Sequence, residues 1–189
     1  MIGIQKSEYR ENIEAFAIAV LTILFIIIFI MQSFLVKGTS MEPTLRDGER
    51  LLVNKLIFRF RTPKTGDIIV LKYPKDPSMK FIKRVIAGPG KTVYIQDSKV
   101  YVGGVELTEP YIKEKTFSNY DFQVVPEGTL FVMGDNRNGS KDSRDPDVGF
   151  VPLKNVVGKA FFIFWPLQNI QVLKLPKYDP KLYQNDSTY

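Results

Sequence analysis

Residues 15–31 read AFAIAVLTILFIIIFIM: 17 positions without a charge and with Thr22 as the one polar side chain. Adding Gln32, Ser33, Phe34, Leu35 and Val36 lengthens the uncharged stretch to 22. At about 1.5 Å per residue a helix of that length spans roughly 33 Å, enough for a hydrocarbon core of about 30 Å. Glu14 precedes the stretch and Lys37 follows it. The pattern predicts one transmembrane helix over 15–36. A cleaved signal peptide is the rival reading, but its apolar core holds about 7–15 residues and ends at a small-x-small site. The segment Gln32-Ser33-Phe34-Leu35-Val36 offers no such site. Lys6 and Arg10 on one side nearly balance Lys37 and Arg46 on the other, so charge does not orient the span.

This segregation is hidden in the averages. The 189 residues are 44 % apolar with mean hydropathy −0.07, which argues against disorder. There are 26 Lys and Arg against 20 Asp and Glu; the first 36 residues carry 2 − 3 = −1, so the remainder carries +7. No helix-turn-helix, finger or basic zipper accompanies that excess, so no nucleic-acid partner is expected. Anionic lipid headgroups are the expected use for a tethered domain. The chain has no Cys and no His. Disulfides, thiol nucleophiles, Ser-His-Asp triads and zinc or haem sites built on those ligands are excluded. A hydrolase made from this chain takes its base from Lys, a carboxylate, Tyr or a metal-bound water.

Beyond the span, the chain reads as strands. Residues 51–54, 67–73, 80–87, 129–132 and 157–164 are short runs rich in Val, Ile, Leu and Phe, separated by turn signals such as Gly88-Pro89-Gly90 and Pro126-Glu127-Gly128. Residues 99–102 and 105–107 flank Gly103-Gly104, a tight hairpin turn. The expected organisation is a 1–14 N-terminal segment, a 15–36 span, a mostly β, antiparallel 37–177 domain with a small hairpin extension, and a frayed polar 178–189 tail.

Nine Ser and 18 Lys give 162 possible pairs, and only local context selects among them. Ser40 lies in Gly38-Thr39-Ser40-Met41-Glu42-Pro43, a constrained turn. It either bonds its own turn or stands exposed as a nucleophile. Lys83 shares a strand face with Phe81 and Val85. It is either a snorkelling surface Lys or a buried amine whose pKa falls by desolvation. Residues 133–145, MGDNRNGSKDSRD, form a polar loop with two Arg and three Asp, suited either to solvent or to a network holding a site in shape.

Four boxes in order resemble the type I signal peptidases: Ser40-Met41-x-Pro43-Thr44-Leu45; Gly66-Asp67-Ile68-Ile69-Val70 with Tyr73-Pro74; Phe81-Ile82-Lys83-Arg84-Val85 with Gly88-x-Gly90; and Gly134-Asp135-Asn136-Arg137…Ser140-x-Asp142-Ser143-Arg144. The likeness runs from the span to about residue 167, where Phe164-Trp165-Pro166-Leu167 also fits. It implies a membrane-bound serine endopeptidase, without metal or cofactor, that removes signal peptides from secretory preproteins outside the cytoplasm. By the same resemblance Ser40 is the nucleophile and Lys83 the general base. Ser140 orients the Lys83 amine, Asp142 pairs with Arg144, and Asp135 and Arg84 support the site. Val36, Met41, Leu45, Phe81 and Ile82 line shallow pockets for small residues. The oxyanion is held by the Ser40 N–H. Gly38 stands where some members have a Ser, which leaves the second oxyanion donor open. A catalytically dead, membrane-tethered binding domain of the same fold is the alternative, against which the intact Ser40 and Lys83 argue.

Overall fold

The computed structural model describes the backbone of residues 4–183, and the side chains within it except those of 4–8, 26–29, 181 and 183. The chain divides into two compact units, Met1–Gln32 and Ser33–Tyr189.

The first unit is the helix α1, Ile4–Ile30. Its side-chain bonds include an Arg10–Glu14 pair one turn apart and a Thr22 hydroxyl returned to the Ile18 carbonyl. Among the described residues no helix is long and apolar enough to cross a membrane. The centre of the apolar run, 26–29, lies outside the described side chains. The helix also stops short of the boundary expected at 36. Residues Met31–Leu35 form strand β1 instead. Phe34 and Val36, two apart, turn toward one core cluster while Gln32, Ser33 and Leu35 stay exposed; that period of two suits a strand rather than another helical turn.

The second unit is antiparallel β. Its larger sheet contains β1, β2 (Arg50–Asn54), β3 (Ile68–Lys72), β4 (Lys80–Ala87), β9 (Thr129–Met133), β10 (Val151–Pro152), β11 (Val156–Trp165) and β12 (Gln171–Val172). The order is β1-β2-β11-β3-β4-β9-β10, with β12 on β11. The smaller sheet contains β5 (Thr92–Gln96), β6 (Lys99–Val102), β7 (Val105–Glu106) and β8 (Tyr120–Val124), in the order β7-β6-β5-β8. The hairpin read from the sequence is β6–β7, turning on Gly103 and Gly104, both at positive φ. It is half of a four-stranded sheet rather than a free extension. The reason is its buried face: Val93, Ile95, Val100 and Val102 pack with Ile86, Ala87, Phe131 and Met133 of the larger sheet.

Two clusters flank the larger sheet. Val36, Met41, Leu45, Leu51, Val53 and Val70 lie in one, and Ile69, Leu71, Val85, Leu130, Val132 and Val151 in the other. The expected tail is also corrected at its start. Tyr178 and Leu182, one turn apart in a polar stretch, are buried against the smaller sheet's core, and residues beyond 183 lie outside the described chain. Asp67 is buried where β3 begins. Burial alone would raise its pKa, but bonds from Arg61, Lys159 and the Lys64 N–H together hold it below the usual carboxylate value.

Gly158 on β11 permits one close approach. A Cβ there would lie 2.4 Å from the Asn54 carbonyl oxygen on β2, a backbone atom that cannot swing aside. Gly158→Ala is expected to cost roughly 1–3 kcal/mol and to lower Tm by roughly 3–10 °C. A thermal melt matching wild type would contradict this packing.

Candidate active site

Strand β4 carries Lys83 at its middle. Ile69 faces it across β3, Phe81 and Val85 are its neighbours on the same face, and the Phe81 ring centroid is 5.3 Å from Nζ. The side chain is 4 % exposed. Among the described residues no carboxylate bonds the amine; its hydrogen bond runs from Nζ to Ser40 Oγ, 2.7 Å away. Desolvation therefore dominates and pushes Lys83 down from 10.5 to about 8. Asp142 and Asp135 pull it up through space and Arg144 pushes it down. Between the two readings open in the sequence, the amine is the buried one.

Ser40 reaches the amine from a tight loop. The Glu42 N–H bonds the Thr39 carbonyl (3.1 Å) and the Leu45 N–H bonds the Met41 carbonyl (2.9 Å). Met41 and Leu45, both buried, pin that loop to the core. The loop 134–144 grips it from the other side. The Asn136 N–H donates to the Ser40 carbonyl (3.1 Å) and Asn136 Nδ2 to the Thr39 carbonyl (3.2 Å). β9 pairs with β4 through Val85↔Val132 and Arg84↔Met133, so Gly134 comes next, level with Lys83. A Cβ at Gly134 would lie 2.4 Å from the Ser40 carbonyl oxygen. Glycine here lets the 134–144 loop approach the Ser40 backbone closely.

The expected supporting residues fall into two ion pairs and one exception. Arg84 clasps Asp135 with two bonds, Nε to Oδ1 (2.8 Å) and Nη2 to Oδ2 (2.6 Å); Asp135 also accepts from the Thr44 hydroxyl (2.5 Å). Arg144 clasps Asp142 the same way, both bonds at 2.8 Å, and the Asp142 carboxylate accepts from the Gly134 N–H (2.9 Å). Ser140 is the exception. The expected bond to the Lys83 amine is absent: Ser140 Oγ is buried beside Gly134 without a partner among the described residues.

A cavity of about 420 Å³ opens beside the Ser40–Lys83 pair. Of the residues expected to line it, Val36, Met41, Phe81 and Ile82 do so. Leu45 does not. It has no exposed surface and packs with Val36 and Met41 beneath the floor, as its spacing from Met41 in a one-turn bend requires. The sequence reading missed Phe34, Leu35 and Val70, which add to the apolar lining, and Lys80 and Lys141, which also line it. The period-two pattern of 31–36, once read as a strand, would have found Phe34. Also missed was the partner of Arg137. This guanidinium is buried, and Glu109 holds it with a bond of 2.6 Å to Nη1 and a second bond to Nη2. Nothing in the local sequence signalled this pair, since the loop already carries Asp135, Asp142 and Asp145 and Glu109 lies 28 residues away along the chain. Among the described residues no group of three or more potential ligands could hold a metal ion.

Chemically, a dry amine 2.7 Å from a hydroxyl can take its proton. The profile of the family described as signal peptidase, peptidase S26, matches residues 9–165. A signal peptidase I of Bacillus licheniformis is 38 % identical over 177 residues, covering 88 % of this chain and 94 % of that one. A probable signal peptidase I-1 of Synechocystis sp. is 42 % identical, covering 83 % of each chain. The crystal structure of a signal peptidase I from Enterococcus faecalis V583 is 33 % identical with a TM-score of 0.47, covering 52 % of this chain and 97 % of that one.

Two predictions follow from the buried amine. Acylation of Ser40 by a serine-directed reagent should rise about tenfold per pH unit below pH 8 and level off above it, because only the neutral amine accepts a proton. A rate flat from pH 5 to 9 would rule out Lys83 as the base. The lowered pKa also has a stability sign. Below about pH 8 folded and unfolded states both hold the proton, and the fold bears the full cost of the buried ammonium, about 3 kcal/mol. That cost fades between about 8 and 10.5, where the unfolded chain binds more protons. Lys83→Met should therefore melt higher than wild type at pH 6.5, with a margin that shrinks toward pH 10. An equal margin at both pH values would contradict the assignment.

Proposed function

Since the chain belongs to the signal peptidase family, peptidase S26, and so to its serine peptidases, we propose that it is a membrane-anchored endopeptidase. It removes signal peptides from secretory preproteins with a Ser40/Lys83 dyad. The observation that carries this reading is the 2.7 Å contact between a 4 %-exposed lysine amine and the Ser40 hydroxyl. Neutral Lys83 takes the Ser40 proton as Oγ attacks the scissile carbonyl. The resulting ammonium protonates the leaving amine, and Lys83 then activates a water that releases the acyl-enzyme. The Ser40 N–H receives the oxyanion. The Gly38 N–H is already committed to Asp47 Oδ1 at 2.6 Å, so it is not the second donor in this arrangement.

The substrate lies extended along β4. The cleft walls, Val36, Met41, Phe81 and Ile82, suit small apolar residues on the acyl side, which supports cleavage after small-x-small sequences. Anchoring rests on the uncharged part of α1 from Ala15 to Ile30, whose Phe16, Ile18, Leu21, Ile23, Leu24 and Phe25 are all exposed. A helix apolar on every side needs a lipid or protein covering. Ser40 follows the end of α1 by ten residues. A signal peptide whose own apolar run remains in the bilayer presents its cleavage site on the same side of the lipid. In this reading residues 1–14 are cytoplasmic and the β unit is outside.

The test is cleavage of a preprotein by the full-length protein in detergent or liposomes. Ser40→Ala and Lys83→Ala should each lose at least about a thousandfold in kcat while melting cooperatively. Wild-type-like cleavage by either variant would end the dyad assignment.

A further inference from the structure

We propose that Glu109 and Tyr111 are positioning residues for the Ser40/Lys83 pair, clamping from behind the two guanidiniums that hold the loops around it. The inference rests on the dyad reading above. Both residues belong to the connection between β7 and β8, residues 107–119, which has no regular secondary structure.

The clamp has two jaws. Glu109 bonds Arg137 through both carboxylate oxygens, and Thr116 of the same connection accepts from Nη1 (3.4 Å). Arg137 in turn donates from Nε to the Gly134 carbonyl (3.1 Å). The Tyr111 ring centroid lies 3.8 Å from the Arg84 Cζ, a stacked cation–π contact in a buried setting. Arg84 holds Asp135, and Asp135 holds Thr44, four residues past the nucleophile. The jaws are tied together. The Tyr111 hydroxyl donates to Glu109 Oε1 (3.0 Å), and the Tyr178 hydroxyl donates to the Tyr111 oxygen (3.1 Å).

The same connection also touches the nucleophile's loop. The Lys113 N–H donates to the Asp135 carbonyl (3.2 Å), and Lys113 Nζ pairs with Glu42, two residues past Ser40, at 3.0 Å. The Phe117 N–H and the Lys115 carbonyl both bond the Asn138 side chain. One segment from the smaller sheet thus meets the 134–144 loop at Asp135, Arg137 and Asn138. The consequence is physical. Arg137 is 1 % exposed and Glu109 is its charged partner, so neutralising Glu109 leaves a buried cation without a counter-charge. The guanidinium then moves toward water and takes the Gly134 carbonyl with it. The Asn136 N–H of the same loop donates to the Ser40 carbonyl (3.1 Å), so the nucleophile's loop loses its support. Neither residue lines the substrate cleft. The effect therefore falls on the chemical step.

Steady-state cleavage by full-length Glu109→Gln and Tyr111→Leu, measured well below each variant's Tm, tests this. The expected result is a kcat lowered at least about tenfold with KM within about twofold of wild type. The pH of half-maximal kcat/KM should also rise above about 8 as water reaches Lys83. A merely structural role would lower Tm and leave kcat and the pH profile unchanged; that outcome, or no change at all, overturns the clamp. If Glu109→Gln does not fold, Tyr111→Leu decides alone by the same two readouts. Ser40→Ala and Lys83→Ala assayed alongside separate the failures. Activity in those variants sinks the dyad, whereas their inactivity beside wild-type kinetics in Glu109→Gln and Tyr111→Leu sinks the clamp only.

Discussion

A primary amine in water is a poor base at neutral pH because hydration stabilises its ammonium form. Lys83 lies among Phe81, Val85 and Ile69 with the Ser40 hydroxyl as its hydrogen-bond partner, so that stabilisation is withdrawn. The chain has no histidine to do this work more cheaply. Desolvation alone is not selective, however. A carboxylate bonded directly to the amine would restore the ammonium, and the surrounding acids are kept from doing so. Asp142 is clasped by Arg144 and Asp135 by Arg84, each through two bonds. Their charges still reach Lys83 through space, but neither acid bonds it.

Each of those guanidiniums is itself buried or nearly so and needs a fixed partner. The fold meets that need by converging separate segments. β4 supplies Arg84 next to Lys83, the 134–144 loop supplies both Asp residues, and the β7–β8 connection supplies Glu109 for Arg137. The smaller sheet is accordingly more than an appendage. It shares a core with β4 and β9, and it sends a strap across the back of the 134–144 loop. A network of this kind adds little net stability, since each buried charge costs what its partner returns. Its effect is geometric: two loops far apart in sequence are held against one strand.

Five strands of the larger sheet, β2, β3, β4, β9 and β11, were legible because apolar runs between Gly- and Pro-rich turns determine them locally, and the β6–β7 turn was legible from Gly103-Gly104. The membership of Ser40, Lys83, Asp135, Asp142 and Arg144 in one neighbourhood was legible from four motifs in order. The misses have a common cause. Phe34 was absorbed into a long uncharged run that ends in a strand. Leu45 was placed on the cleft wall when it lies under the floor. Tyr178 and Leu182 were submerged in polar composition, and the small sheet's β5 and β8 became visible only through a shared core. Ser140, placed by motif on the lysine, has its hydroxyl buried without a partner among the described residues.

By itself the sequence determined chemistry: no histidine or cysteine, a long uncharged stretch near the start, and a serine and a lysine set in distinctive local patterns. Those properties depend on residue identity and near neighbours, which a linear reading contains. Only the tertiary structure decided that the amine is dry, that it meets the hydroxyl at 2.7 Å, and that Glu109 and Tyr111 stand behind the loop. Desolvation and ion pairing depend on which atoms surround a charge, and those atoms come from distant segments, such as Thr44 and Asp135, 91 residues apart along the chain.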